Sequence, residues 1–142
     1  MSINQPFNTP LLIWSSGFAA RRSQRFSDTQ KFIDSEVIRL MAPYTPMRNG
    51  FLVRAATIGT KIGSGLIRYS SPYARYQYYG KLMVSSVTGS AYARRGESKE
   101  LTGIDLKYDK TRHPNAQRLW FEAMKADKKK IILRDAARYM RK

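Results

Sequence analysis

The sequence predicts an α+β fold: a small, mostly antiparallel sheet packed by a long N-terminal helix and a C-terminal helix. Three observations lead there. Apolar residues recur with a helical period in two long stretches near the two ends of the chain. The runs between them are short and strand-like. Glycine and proline separate those runs as turn residues do. At 142 residues with 42% apolar content, the chain is sized for one domain and too apolar for a disordered one.

Residues 1–16 are polar, broken by Pro6 and Pro10, and carry Phe7 and the apolar run Leu11-Leu12-Ile13-Trp14. They read as an N-terminal arm that lies either on its own core or on a neighbouring copy. Residues 17–142 read as a single α+β domain. From about Gly17 to Met41, Phe26, Ile33, Val37, Leu40 and Met41 form one helical stripe. Arg21, Arg22, Arg25, Asp28, Lys31, Asp34 and Arg39 largely fill the other faces. Pro43 and Pro46 stop this helix, because proline disfavours the helical conformation in the residue before it. Residues 47–57 are a turn at Asn49-Gly50 and then a short helix or an extended stretch. Thr57 to Ile62 and Leu66 to Tyr69 are predicted strands, joined into a hairpin by Gly63-Ser64-Gly65.

Pro72 opens and Gly80 closes a two-turn helix through Tyr73, Ala74 and Tyr76. Leu82 to Val87 and Ile104 to Tyr108 are strand-like, and between them an extended, mobile basic loop is expected at about 88–101. A last helix begins at His113-Pro114, with Ala116, Leu119, Trp120, Ala123 and Met124 on its apolar stripe. It continues through Ile131, Ile132, Ala136 and Met140, with a break near Asp127 to Lys130. The predicted core is Phe26, Ile33, Val37, Leu40, Leu52, Ile62, Ile67, Tyr73, Tyr76, Trp120 and Met124.

Lys and Arg number 26 against 10 for Asp and Glu, a formal net charge of +16. Such a surplus repels itself, so a polyanion or an acidic protein surface is expected nearby. Three clusters carry it: Arg21, Arg22 and Arg25 on the first helix; Arg94, Arg95 and Lys99 on the loop; Lys128, Lys129 and Lys130 on the last helix. They fit either a phosphate backbone, bound without reading sequence, or an acidic partner. Tyr73, Tyr76 and Tyr79 share a helical spacing that favours packing over stacking on bases.

Catalytic readings find little support. The absence of cysteine removes disulfides and thiolate chemistry, and a single histidine leaves no His-based metal set or Ser-His triad. The ten carboxylates form no acid–base or metal-binding motif, and His113 before Pro114 reads as a capping or packing residue. Gly59 to Gly65 lacks the Gly-Lys-Ser/Thr ending of a phosphate loop. No enzyme activity, cofactor, metal or small-molecule substrate is expected. Neither a targeting segment nor a membrane span is recognisable, which points to synthesis in a reducing, cytoplasm-like compartment.

Three blocks carry a resemblance. They are Pro46-Met47-Arg48-Asn49-Gly50-Phe51-Leu52, then Gly65, then Ser71-Pro72-Tyr73-Ala74-Arg75-Tyr76-Gln77-Tyr78-Tyr79-Gly80. With His113-Pro114-Asn115-Ala116 and Leu119-Trp120-Phe121-Glu122-Ala123-Met124-Lys125, the pattern resembles the minor capsid or tail-completion proteins of tailed bacteriophages and prophages. These are small head–tail connector, or neck, proteins. The likeness covers about residues 18–125, with Asn49 in place of the usual threonine before Gly50. It implies a structural motif of Pro46, Gly50, Leu52, Pro72, Tyr73, Ala74, Tyr76, Gly80 and Trp120. It also implies a ring of identical subunits at the head–tail interface of the virion, made in the bacterial cytoplasm, with six or twelve copies as the family context has it. Neighbouring connector or adaptor proteins, tail-terminator or tail-tube proteins and the packaged double-stranded DNA are the implied partners. The alternative from composition is a sequence-nonspecific nucleic-acid-binding protein.

Overall fold

A computed structural model of the chain describes residues 15–142; the N-terminal arm up to Trp14 lies outside them. The elements run α1 (Phe18–Met41), a 3-10 turn (Ala42–Tyr44), α2 (Phe51–Gly59), α3 (Ala74–Tyr79), β1 (Lys81–Ser85), β2 (Lys99–Asp105) and α4 (Trp120–Arg141). The class is α+β, as the sequence predicts, with one two-stranded antiparallel sheet.

α1 starts where the sequence places it. Gly17 takes φ +75 before it, and the Arg21 guanidinium donates back to the Ser16 carbonyl and the Ser15 hydroxyl. It ends at the prolines, with Thr45 extended before Pro46. α4 runs antiparallel along α1. Tyr139 stacks on Phe32 at 5.1 Å, while the earlier Asp127 accepts the hydroxyl of Tyr44 just past the other end of α1. The core gathers at that second end: Met41, Tyr44, Ala56, Trp120, Met124 and Ile132 are buried together. Ile33, Val37, Leu40, Leu52 and Ile67 pack half-buried around them.

Several expectations are corrected. The hairpin of Thr57 to Ile62 with Leu66 to Tyr69 does not form. Its first strand begins inside α2, and the 66–70 run makes single bonds to α2 and Thr60 instead of a ladder. Ser70 N–H donates to the Ala55 carbonyl at 3.1 Å, and Arg68 N–H donates to the Thr60 hydroxyl at 2.9 Å. β-Branched residues at 57–62 mark extended preference, but tertiary contact overrides it. Buried Ala55 and Ala56, and Gly59, let the 68–70 backbone lie directly on α2; a Cβ at Gly59 would sit 2.4 Å from the Arg68 carbonyl oxygen.

β2 begins at Lys99, inside the predicted loop, and ends at Asp105, before the predicted strand is complete. Between the pairs Lys81↔Asp105 and Met83↔Leu101, β1 advances two residues and β2 four, a bulge that holds Gly103. The last helix begins at Trp120 rather than His113, because the preceding amides are spent on tertiary bonds. Gln117 N–H donates to the Tyr44 carbonyl and Leu119 N–H to the Tyr78 carbonyl, with Leu119 left-handed at φ +50. The expected break at Asp127 to Lys130 is absent; the helix is continuous there, and Asp127 is held by Tyr44.

Three predicted core residues are exposed. Phe26 sits on the part of α1 that extends past the end of α4, Ile62 on the surface loop after α2, and Tyr73 before the first turn of α3. Tyr76 is half-buried, under Lys99 rather than in the core.

Candidate functional site

The motif blocks 46–52, 71–80 and 113–125, far apart in sequence, are tied together in and beside their ends by hydrogen bonds to backbone carbonyls. Gly50 takes φ +77 ahead of α2, and the Asn49 side chain accepts the Phe51 N–H, so the Asn-Gly turn redirects the chain as glycine freedom allows. Just upstream, the carbonyls of Tyr44 and Thr45 receive Gln117 N–H and the His113 imidazole at 3.2 and 2.8 Å. Because a carbonyl only accepts, His113 Nδ1 carries the proton, which gives this histidine a tying role. Pro46 and Leu52 lie half-buried beside that junction.

The Pro72-Tyr73-Ala74 block forms α3 with Ala74 buried beneath it and Gly80 closing it at φ +71. A side chain at Gly80 would be both strained and crowded. A Cβ there would meet the Tyr108 hydroxyl at 2.8 Å and Arg118 Cβ at 3.0 Å. Its carbonyl receives Leu106 N–H at 2.8 Å, and Tyr108 donates to the Gln77 carbonyl at 2.5 Å.

Trp120 locks the clamp. It is 1% exposed, donates its indole N–H to the Tyr69 hydroxyl at 2.9 Å, and meets Tyr69 and Tyr78 edge to face. Burial raises the pKa of Tyr69 and Tyr78 above the ordinary tyrosine value, so both hydroxyls stay neutral donors and acceptors.

The cationic residues do not converge as one group. Arg21, Arg22 and Arg25 lie exposed on the first turns of α1, with Arg22 over the Phe18 ring. Lys129 and Lys130 are exposed mid-way along α4, and Lys128 pairs with Asp127 at 3.1 Å. Arg95 is exposed at the ribbon tip. Arg94 and Lys99 do come together with Tyr73 and Tyr76, around a groove of about 470 Å³ completed by Tyr92. Lys99 Nζ stands 5.9 Å from the Tyr76 ring centre and donates to the Ala91 carbonyl.

Two carboxylates have structural roles that the sequence reading did not give them, and Asp34, expected on the outer faces of α1, is buried. Glu97 accepts the Ser85 hydroxyl at 2.7 Å and Arg94 N–H at 3.1 Å, folding the loop back on the ribbon. Asp34 is 2% exposed, and its carboxylate receives Gly63 N–H, Gly65 N–H and the Gln30 amide. The glycine loop thus does converge its N–H groups on an anion, a carboxylate of the chain itself. Spacing offered a signal for Asp34: it adjoins Ile33 and precedes Val37 by three, on the inward stripe. Among the described residues no His, Cys, Asp and Glu group is placed to hold a metal, and no helix is long and apolar enough to cross a membrane.

The fold thus presents a clamp of motif blocks bordered by exposed tyrosines, aliphatics and cations. A family model described as minor capsid protein matches residues 19–139, so the chain belongs to the minor capsid protein family, structural components of the phage virion. No curated protein and no solved structure matches the chain.

Proposed function

We propose that this chain is a head–tail connector subunit that assembles as a homo-oligomeric ring in the phage neck. There it joins or completes the tail at the DNA-filled capsid, between adaptor and tail-terminator or tail-tube proteins. One observation carries the reading. The motif blocks hold the chain's own clamp, while the outer side of one of them and the strand β2 keep large apolar groups in solvent. Tyr73, Tyr79, Leu101 and Ile104 are 56–65% exposed on α3, its N-cap and β2. Tyrosines and aliphatics exposed next to a rigid frame are what a repeated protein interface buries. The test is electron microscopy of particles made without this protein: full heads separate from tails support the reading, and normally joined virions overturn it.

The exposed cations favour a second, compatible contact with packaged DNA. Among the described residues, Arg25, Arg95, Lys129 and Lys130 have no carboxylate in ion-pair distance. Phosphate contacts of this kind give a steep fall of affinity with salt. A ring that binds duplex DNA with such a slope supports a channel-facing surface. A monomer that binds it equally well favours the nonspecific nucleic-acid-binding function instead.

A further inference from the structure

A groove of about 600 Å³ lies between α1 and the segment from Gly65 to Tyr79, floored by Trp120. Its walls are Ile33, Val37, Met41, Ile67 and Tyr78, with Gln30 and Arg75 also lining it. A cleft of this size, apolar in its walls and bordered by a few polar groups, has room for two or three large side chains.

The chain carries a segment of matching chemistry, the run Leu11-Leu12-Ile13-Trp14. The centre of its own groove is out of reach. Ser15 is pinned at the start of α1: its carbonyl accepts Phe18 N–H and its hydroxyl accepts the Arg21 guanidinium, each at 3.0 Å. From Arg21, helical rise places Ile33 about 18 Å and Val37 about 24 Å further along the axis. Four fully extended residues from Ser15 back to Leu11 span at most about 14 Å, and the single step to Trp14 about 4 Å. A run anchored at Ser15 is therefore too short to arrive at Ile33 or Val37 of its own groove, and Trp14 has the shortest reach of the four. Residues 19–27 of α1, which follow that run in the chain, are all exposed.

We infer that the groove receives the Leu11–Trp14 run of a second copy of this chain. This rests on the self-assembly proposed above and names the surfaces that drive it. The contact is heterologous: one copy's arm enters the next copy's groove, a geometry that repeats around a ring until it closes.

The absence of cysteine makes the test clean. Full-length Leu12→Cys and Arg75→Cys variants, the second at an exposed position on the groove, are mixed and gently oxidised. A band of doubled mass on a non-reducing gel is expected from the mixture and from neither variant alone. Adding Trp14→Ser to the Leu12→Cys chain should abolish it while the circular dichroism spectrum is unchanged. A double variant that closes into a cross-linked monomer would overturn the inference in favour of the chain's own arm. Oligomers seen by light scattering without the cross-link would overturn it and leave the ring reading standing. Monomers throughout would overturn both.

Discussion

The segment Tyr69 to Gly80 and the ribbon that follows it, Lys81 to Asp105, adjoin in sequence and differ in how they are held. In the first, Tyr69 holds the Trp120 indole, the Tyr78 carbonyl caps the approach to α4, and Gly80 is sealed by Tyr108 and Arg118. In the second, among the described residues two strands pair only with each other, and Leu101 and Ile104 stand exposed. Two strands without a third or a covering helix are marginal on their own. This ribbon is anchored at its base by α3 and by the Lys81–Asp105 pair. That pair is exposed enough for solvent and salt to weaken it. The difference separates a part that finishes folding by itself from a part with surface left to cover.

Trp120→Ala is expected to break that contrast hardest, by loosening the clamp. It removes a fully buried ring and the indole donor of the Tyr69 hydroxyl, and should cost about 3–5 kcal/mol in urea unfolding. A cost below about 1 kcal/mol, the level of an ordinary surface change, would mean the clamp is not the centre of stability.

Gly80→Val should follow. A left-handed backbone costs a residue with a Cβ about 1–2 kcal/mol, and crowding against Tyr108 and Arg118 adds about 1–3 kcal/mol. Gly50→Val is the sharper control. Its φ is +77, but the nearest atom to an added Cβ is the flexible Met47 methyl at 3.4 Å, so only the backbone part should be lost. Equal losses at the two glycines would show that crowding at Gly80 contributes nothing. Particle completion by Gly50→Val at the wild-type level would remove the turn from the assembly argument.

Asp34 separates charge from hydrogen bonding. Asp34→Ala leaves Gly63 and Gly65 N–H without their acceptor and should cost about 1–3 kcal/mol. Asp34→Asn keeps an oxygen for both, and the Gln30 amide can turn to present its own oxygen, so this variant should stay near wild type. If both variants lose equally in thermal unfolding, the negative charge itself matters.

A smaller effect appears with pH. The Tyr44 hydroxyl and then Lys128 hold the Asp127 carboxyl below its ordinary value. A carboxylate depressed in the folded state stabilises above its unfolded pKa, near about 4, and that contribution is lost as pH falls through the folded value. Tyr44→Phe should therefore narrow its gap to wild type as urea melts are taken from neutral pH to below about 3. A gap constant with pH would sink the linkage.

What the sequence disclosed, and what it hid, divides along the same line. α1, α3, the Asn49-Gly50 turn and the buried Trp120 were legible because each is written locally, in a stripe, a Pro–Gly frame or an Asn–Gly pair. The 57–70 hairpin and the early start of α4 were misread because bonds over long sequence separation decide them: Ser70 to Ala55, Leu119 to Tyr78, Gln117 to Tyr44. Phe26 and Tyr73 have the periodicity of core residues and are nevertheless exposed. An apolar stripe records that a face is to be covered, and does not record by which chain.

That last point sets the smallest effect on stability. Leu101→Ser with Ile104→Ser changes two residues that are 65% and 60% exposed, so the isolated chain should keep its unfolding midpoint within about 0.5 kcal/mol. If the ribbon's open face is covered by a neighbour, the same double variant should lose oligomers in sedimentation while its monomer stays folded. If instead the midpoint falls by more than about 1 kcal/mol, the ribbon already has a role in the folded monomer that its exposure does not show, and the contrast with the clamp fails. A midpoint and an oligomer distribution both equal to wild type would leave the clamp as described, and would move the assembly surface off the ribbon to α3 and the exposed half of α1.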